Sequence, residues 1–281
     1  MNYIVFDLEF NMFFPFKQGE FANPNLKSEI IQIGAVKLDE NLEVTSQYNR
    51  IIRPVVYKRI NPYVKKKTGI NGSQIARGLT FLEAIKEFRS WMGDGSVLCS
   101  WGHDDILGLR DNCLFFGFRS LSLNKFINIQ KLYMTHEKLA QQPSLESAVE
   151  ALNIKKDAPF HDAFSDAVYT SDILKKVYDF STEVIVNWEK QQAENELKIR
   201  ELKSVLDKTE IFCPECGNLV QKDYGTLKPR QYLAYGYCFN CNLKIRHVSR
   251  IVHKNDEYSI FSRNTAVKTE ESNEIGDTPL H

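Results

Sequence analysis

The chain of 281 residues has no net charge, with 36 Lys and Arg against 36 Asp and Glu. As a whole it therefore offers no attraction to polyanions or membrane surfaces, and any basic surface must be local. It also lacks the run of about eighteen apolar residues that a membrane-spanning helix needs. Its opening residues, MNYIVFDLEF, contain two acids and no basic region of the kind that starts a secretory signal. These absences lead us to expect a soluble, cytoplasmic protein with no membrane partner. Large apolar groups are scarce in 264–281 (NTAVKTEESNEIGDTPLH), which reads as a disordered acidic tail. Proline and glycine are missing from 183–208, where Trp188, Leu202 and Leu206 sit among Glu, Lys and Gln. That is the pattern of an exposed connecting helix, and we assign 181–210 as a helical linker.

What is present is enough apolar material, 43% of the chain, for one sizeable domain and a smaller satellite. Residues 2–10 (NYIVFDLEF) are β-branched and aromatic and predict a strand, followed by a loop over about 12–27. The runs EIIQIGAVKL and EVTSQYNRIIR flank turn residues at 39–41 and predict an antiparallel hairpin. Thr80 and Glu83 form a candidate capping box ahead of Phe81, Ala84, Ile85, Phe88 and Trp91 at helical spacing. A strand at 97–101, a helix at about 104–116, an extended segment at 127–133, a helix capped by Ser144 and another over about 162–179 follow. Strands succeeded by helix-linked strands indicate an α/β fold with a mixed sheet.

Asp7 and Glu9 are two apart in the first strand, so both side chains project from one face. A D-x-E triplet arises by chance in roughly every chain this long. The apolar flanks Ile4, Val5, Phe6, Leu8 and Phe10 give it more weight, because unpaired carboxylates in a buried strand are costly and call for a cation. The strand in CSWGHDD delivers Asp104 and Asp105 to its carboxyl end, the usual place for sites in α/β sheets, although either could instead cap a helix. His161 precedes the next acids, Asp162 and Asp166, which share one helical face; a histidine there could equally be a structural hydrogen-bonder. Together the three clusters suit hydrolysis of phosphodiesters. Hard oxygen ligands hold two Mg²⁺ or Mn²⁺ ions, and a near-neutral histidine deprotonates water.

At this point the sequence resembles the DEDDh exonucleases of the RNase T and DnaQ-like superfamily, and within it the Eri-like exoribonucleases. The resemblance covers about residues 1–180. VFDLEF, CSWGHDDILGL and HDAFSDA look like the three exonuclease motifs in order, and TGI (68–70) and SLESAVEALNI are also similar. It implies a ribonuclease H-like mixed β-sheet flanked by helices. It also implies that Asp7, Glu9 and Asp166 hold the metal carrying the nucleophilic water, that Asp7 bridges to a second metal supported by Asp105, and that His161 is the general base. Asp105 is chosen over Asp104 because the W-G-x-x-D spacing fits the family. One departure is the aromatic stretch after Phe10 and Asn11 (Phe13, Phe14, Phe16), for which burial over the sheet edge is expected and base stacking is the alternative. Another local feature is the basic segment Lys58, Arg59, Lys65, Lys66, Lys67, which either tracks a phosphate backbone or is a solvated face.

Six cysteines are present. Cys99 and Cys113 lie in apolar surroundings and read as buried small hydrophobes. Cys213-Pro-Glu-Cys216 and Cys238-Phe-Asn-Cys241, 21 residues apart, have the spacing of a four-cysteine zinc ribbon, assigned to 211–263. That stretch holds eight Lys or Arg and four acids, about +4, interleaved with Tyr224, Tyr232, Tyr235, Tyr237 and Phe239. Cations and stacking faces together suit single-stranded nucleic acid; docking of a protein partner is the alternative. The function expected is a 3′–5′ exonuclease acting on single-stranded RNA or DNA and releasing nucleoside 5′-monophosphates. The other class is a regulatory binding protein that uses an exonuclease scaffold and a zinc ribbon.

Overall fold

The computed structural model describes residues 1–17, 20–179, 184–228, 230–254 and 257–267. The chain divides into two compact units, Met1–Gln191 and Gln192–His281. The first is built on a five-stranded sheet ordered β3-β2-β1-β4-β5. Its strands are β1 (Tyr3–Met12), β2 (Ser28–Leu38), β3 (Val44–Ile51), β4 (Val97–Ser100) and β5 (Phe126–Asn128). β1, β2 and β3 pair antiparallel, whereas β4 joins β1, and β5 joins β4, in parallel. The sheet is therefore mixed, as the order of sequence periods implied.

Alternation along β1 explains the layers. Ile4, Phe6 and Leu8 project into one core with Phe81, Ala84, Ile85 and Phe88 of α3 (Phe81–Met92) and Ile106 and Leu109 of α4 (Asp104–Phe115). Tyr3 and Val5 project into the opposite core, filled by α5 (Ile129–His136), α6 (Leu145–Ala151) and α7 (Ala163–Val177). Asp7 and Glu9 continue this second set, so they emerge on the face that α7 covers. Two short helices, α1 (Pro62–Thr68) and α2 (Gly72–Arg77), lie between β3 and α3. The capping box expected at Thr80 forms: its hydroxyl accepts from the Glu83 amide, and the Glu83 carboxylate accepts from the Thr80 amide.

Three sequence expectations need correction. The stretch 127–133 is not a strand throughout. Asn128 accepts from the Lys131 amide and caps α5, so only Phe126–Asn128 pairs with β4. The helical part of the linker at 181–210 is exposed over 193–201, but it is anchored near both ends rather than free along its whole length. α8 (Trp188–Lys208) buries Trp188 in the first core and Leu206 against Tyr232, Ala234 and Ile251, so packing rather than charge sets its ends. Residues 264–266 do not belong to a disordered tail. Asn264 pairs with His247 and Ala266 with Ile245 in an antiparallel ladder, which supplies the hydrogen bonds that a polar segment would otherwise take from water. The rest of that tail, 268–281, lies outside the described residues.

The second unit is a β-sheet ordered β10-β9-β8-β6, with β7 also on β8. Its strands are β6 (Gln221–Lys222), β7 (Thr226–Lys228), β8 (Gln231–Cys238), β9 (Leu243–Lys254) and β10 (Glu257–Ala266). The four cysteines lie in two turns beside Ile211, Val220 and Ile245. Among the described residues no helix is long and apolar enough to cross a membrane.

Candidate active site

β1 passes over the edge of the second core and ends in a cleft of about 280 Å³, walled by Asp7, Glu9, Asp105, His161 and Asp166, with Tyr63, Lys67 and Thr68 of α1 opposite. All five residues anticipated from the sequence thus meet in one place. Asp105 and Asp166 are each only 7% exposed, and both sit in the first turn of a helix, α4 and α7 respectively. The positive end of each helix faces the carboxylates and offsets part of their mutual repulsion.

Each acid is held by a specific backbone contact. Asp105 Oδ1 accepts from the Leu8 amide at 3.2 Å, which ties α4 to β1 between Asp7 and Glu9. Asp104 is exposed and makes no such contact. Neither caps the helix, since the N-cap position is His103, whose side chain makes no capping bond. Asp166 Oδ2 accepts from the His161 amide at 3.0 Å. That bond requires His161 to adopt φ +67°, a left-handed conformation unusual for a residue with a side chain. The histidine ring is left exposed at the cleft mouth.

Asp162 has a different task from Asp166. Its carboxylate caps α7 by accepting from the Ser165 amide at 3.0 Å and hydroxyl at 2.8 Å, and it also accepts from Gln32 Nε2 at 2.8 Å. Gln32 stands opposite Glu9 in the β1–β2 register, and its Oε1 accepts from the Ala163 amide at 3.3 Å. Gly34 stands opposite Asp7. A Cβ there would lie 2.2 Å from the Ala163 and Phe164 backbone, so only glycine lets α7 come this close to the sheet. Gln32 and Gly34 lay outside the residues expected at the site, whereas Lys67 belongs to the basic segment expected either to track a phosphate backbone or to be a solvated face. The one available signal was a Gln and a Gly inside the otherwise apolar run IIQIGAV.

Crowding four carboxylates in a dry cleft favours their neutral forms. Burial, then the charges of Asp105 and Asp166, pushes Asp7 well above the ordinary carboxylate range. Burial and Asp166 push Glu9 up to about 8, against the opposing pull of Lys67. Burial raises Asp105 to about 7 and Asp166 to about 6, the Leu8 and His161 amides opposing. Desolvation against the cleft wall, and then Lys67, lowers His161, which is neutral at pH 7 and able to accept a proton. Donor atoms of Glu9, His161 and Asp166 lie within 4.8 Å of one another, and the buried Asp166 Oδ1 has no hydrogen-bond partner. A hard divalent cation fits this donor set, because it would restore charge balance and satisfy the orphaned oxygen.

The four cysteine sulfurs of the second unit also lie within 4.8 Å of one another. Cys216 and Cys238 Sγ are 3.6 Å apart, close to the roughly 3.8 Å edge of a zinc tetrathiolate with Zn–S near 2.3 Å. The residue after each pair takes a left-handed conformation, Gly217 at φ +72° and Asn242 at +58°. Glycine and asparagine are the residues that accept it at least cost, so the two turns are matched in shape although their sequences differ.

A mixed sheet of this order, with helices on both faces and an acidic cleft at the end of its first strand, defines a ribonuclease H-like exonuclease domain. A family model described as exonuclease (RNase T) matches residues 4–174, and the chain belongs to that family. It is 26% identical over 113 residues to the probable 3′-5′ exonuclease KapD of Bacillus subtilis, covering 40% of this chain and 53% of that protein. It is 25% identical over 181 residues to 3′-5′ exoribonuclease 1 of Rattus norvegicus, covering 60% and 52%. The chain thus spans about half the length of these two relatives. Among solved structures, the nuclease domain of 3′hExo, a DEDDh family member bound to rAMP, superposes with a TM-score of 0.56 at 23% identity, covering 66% of this chain and 96% of that one. Cell-death related nuclease 4 gives 0.52 at 16% identity, covering 62% of each. At these identities the superpositions establish the fold.

Proposed function

We propose that the chain is a 3′–5′ exonuclease that hydrolyses the terminal phosphodiester of single-stranded RNA, and less favourably DNA, releasing nucleoside 5′-monophosphates. The observation that carries this is the convergence of Asp7, Glu9, Asp105 and Asp166 on one cleft with His161 at its mouth and an unpartnered carboxylate oxygen within. Asp7, Glu9 and Asp166 would hold one Mg²⁺ or Mn²⁺, and Asp7 with Asp105 a second. Such ions, when bound, neutralise charge on the phosphoryl oxygens and make water a better nucleophile. His161, neutral and exposed, takes the proton from the attacking water. The bond from phosphorus to the 3′-oxygen of the preceding nucleotide breaks, and that oxygen is protonated from solvent. Lys67, across the cleft from Glu9 and Asp166, is placed to meet the phosphate.

Preference for RNA rests on the relatives: one is an exoribonuclease, and the 3′hExo domain is bound to rAMP. In the second unit the four cysteines would hold one structural Zn²⁺. Tyr224 and Phe239 are 89% and 73% exposed beside a net basic sheet, which favours a single nucleic-acid strand over a protein as the ribbon's partner. A 5′-labelled oligonucleotide made as RNA, as DNA, and as RNA with one terminal 2′-deoxy residue separates the sugar readings. Stepwise shortening with 5′-monophosphate products, fastest on RNA, is expected. No shortening of any of the three with Mg²⁺ or Mn²⁺ would refute the enzyme.

A further inference from the structure

Beside the catalytic cleft lies a second surface that hydrolysis does not use. Two cavities, of about 670 and 560 Å³, share Phe16, Lys58 and Arg59, and the second also reaches Met12, which is part of the catalytic cleft. The larger is lined by Arg53, Lys58, Arg59 and Lys65, with no acid in its wall. On the smaller, the carboxylate of Glu20 is occupied by the amides of Phe16 at 2.8 Å and Lys17 at 3.2 Å. Contrary to the burial expected for them, Phe14 and Phe16 are 40% and 37% exposed. Their rings meet edge to face at 4.9 Å, and the Arg59 guanidinium stands 5.2 Å from the Phe16 centroid.

The backbone beneath these cations is fixed from inside the protein. Asn11, two residues beyond Glu9 and fully buried, donates to the carbonyls of Tyr57 at 2.7 Å and Arg59 at 2.9 Å and accepts from the Asn61 amide at 2.9 Å. Glu29, 1% exposed, accepts from three consecutive amides, Val55 at 2.6 Å, Val56 at 3.0 Å and Tyr57 at 2.8 Å. Two buried polar side chains thus hold residues 55–61 in one shape. The cationic side chains project from a segment that needs no ordering when a ligand binds, which lowers the entropic cost of binding.

We infer that this surface is an upstream subsite for the substrate strand, in which phosphates lie on Arg53, Lys58, Arg59 and Lys65 and unpaired bases stack on Phe14 and Phe16. The inference rests on the exonuclease reading and extends it to the nucleotides 5′ of the one removed. Charge selects a polyanion, the paired rings select unstacked bases, and continuity through Met12 joins the surface to the scissile end. The surface lets the enzyme favour a strand over a free mononucleotide ester.

Two substrates test it on the full chain: a 5′-fluorescein 12-mer of oligouridylate, and the p-nitrophenyl ester of thymidine 5′-monophosphate, which fills the catalytic cleft alone. In the triple variant Arg53→Ala/Lys58→Ala/Arg59→Ala, the ratio of kcat/KM on the 12-mer to kcat/KM on the ester is expected to fall at least tenfold. Phe14→Ala/Phe16→Ala should lower it by a similar factor. The log–log salt dependence of 12-mer binding should become shallower by about 2 in the triple variant, since each lost phosphate contact removes roughly 0.7. An unchanged ratio and salt slope would overturn the inference, as would a surface that binds polyglutamate as well as it binds the 12-mer. If the parent protein hydrolyses neither substrate, the exonuclease reading fails, and the salt slope still decides the subsite.

Discussion

Replacing Gly34 by alanine places a methyl group where α7 runs against β2, and its consequences follow from one distance. The new Cβ would lie 2.2 Å from the Ala163 carbonyl carbon and the Phe164 nitrogen, whereas ordinary contact begins at 3.4 Å. Both atoms are backbone, so no rotamer change relieves the clash, and α7 must retreat from the sheet by on the order of 1 Å. Gln32 then loses its bonds to Ala163 and Asp162. His161 and Asp166, carried on the same first turn, draw away from Glu9. Overpacking of this kind costs about 1–3 kcal/mol, and a misplacement of about 1 Å at reacting groups costs about 100-fold in rate. Thermal unfolding and steady-state trimming of a 5′-labelled RNA, with Mn²⁺ affinity measured by titration, read the three effects together. A Gly34→Ala protein with parental Tm, kcat/KM and Mn²⁺ affinity would refute the argument that this close approach sets the site.

Other outcomes are specific to single groups. Without Mg²⁺ or Mn²⁺, the folded protein keeps protons on Asp7, Glu9 and Asp105 that the unfolded chain has already lost by about pH 5. Stability then falls as pH rises through about 7 and 8, and Tm of the zinc-loaded protein should drop by about 5 °C from pH 6 to 8.5. Saturating Mn²⁺ should abolish that drop, and a Tm that rises over this range without the metal would contradict it. Asp105→Asn is expected to slow trimming by about 100-fold and Asp104→Asn by less than about threefold, because both border the cleft but only Asp105 is buried and fixed by the Leu8 amide; equal effects would reverse the assignment. Chelation should unfold the second unit, read as loss of its β-sheet circular dichroism. In the unfolded, metal-free unit the four thiols are mostly protonated at pH 7, so Zn²⁺ uptake should release protons, and a heat independent of buffer ionisation would exclude a thiolate site.

What the sequence disclosed was whatever depends on near neighbours. Period-two alternation put Asp7 and Glu9 on one face, and the Thr80–Glu83 box, the Ser144 cap and the two C-x-x-C pairs are each local patterns that formed as expected. What stayed hidden depends on strand register and on contacts between distant segments. Gln32 and Gly34 matter because they stand opposite Glu9 and Asp7, which no local pattern reveals. Asn128 ended β5 early because its side chain found the Lys131 amide, overriding the β-propensity of Ile127 and Ile129. Phe14 and Phe16 looked like core residues by composition, yet they lie beyond the end of β1, the central strand, and stay 40% and 37% exposed.

The most direct test compares the parent chain with Asp7→Asn, which has nearly the same shape but lacks the charge, on a 5′-labelled 12-mer RNA with Mn²⁺. The parent should shorten the RNA one nucleotide at a time from its 3′ end and release nucleoside 5′-monophosphates, with the variant slower by about 1,000-fold or more. Equal rates in the two proteins, or an RNA left intact by the parent, would contradict the assignment of these carboxylates to phosphodiester hydrolysis.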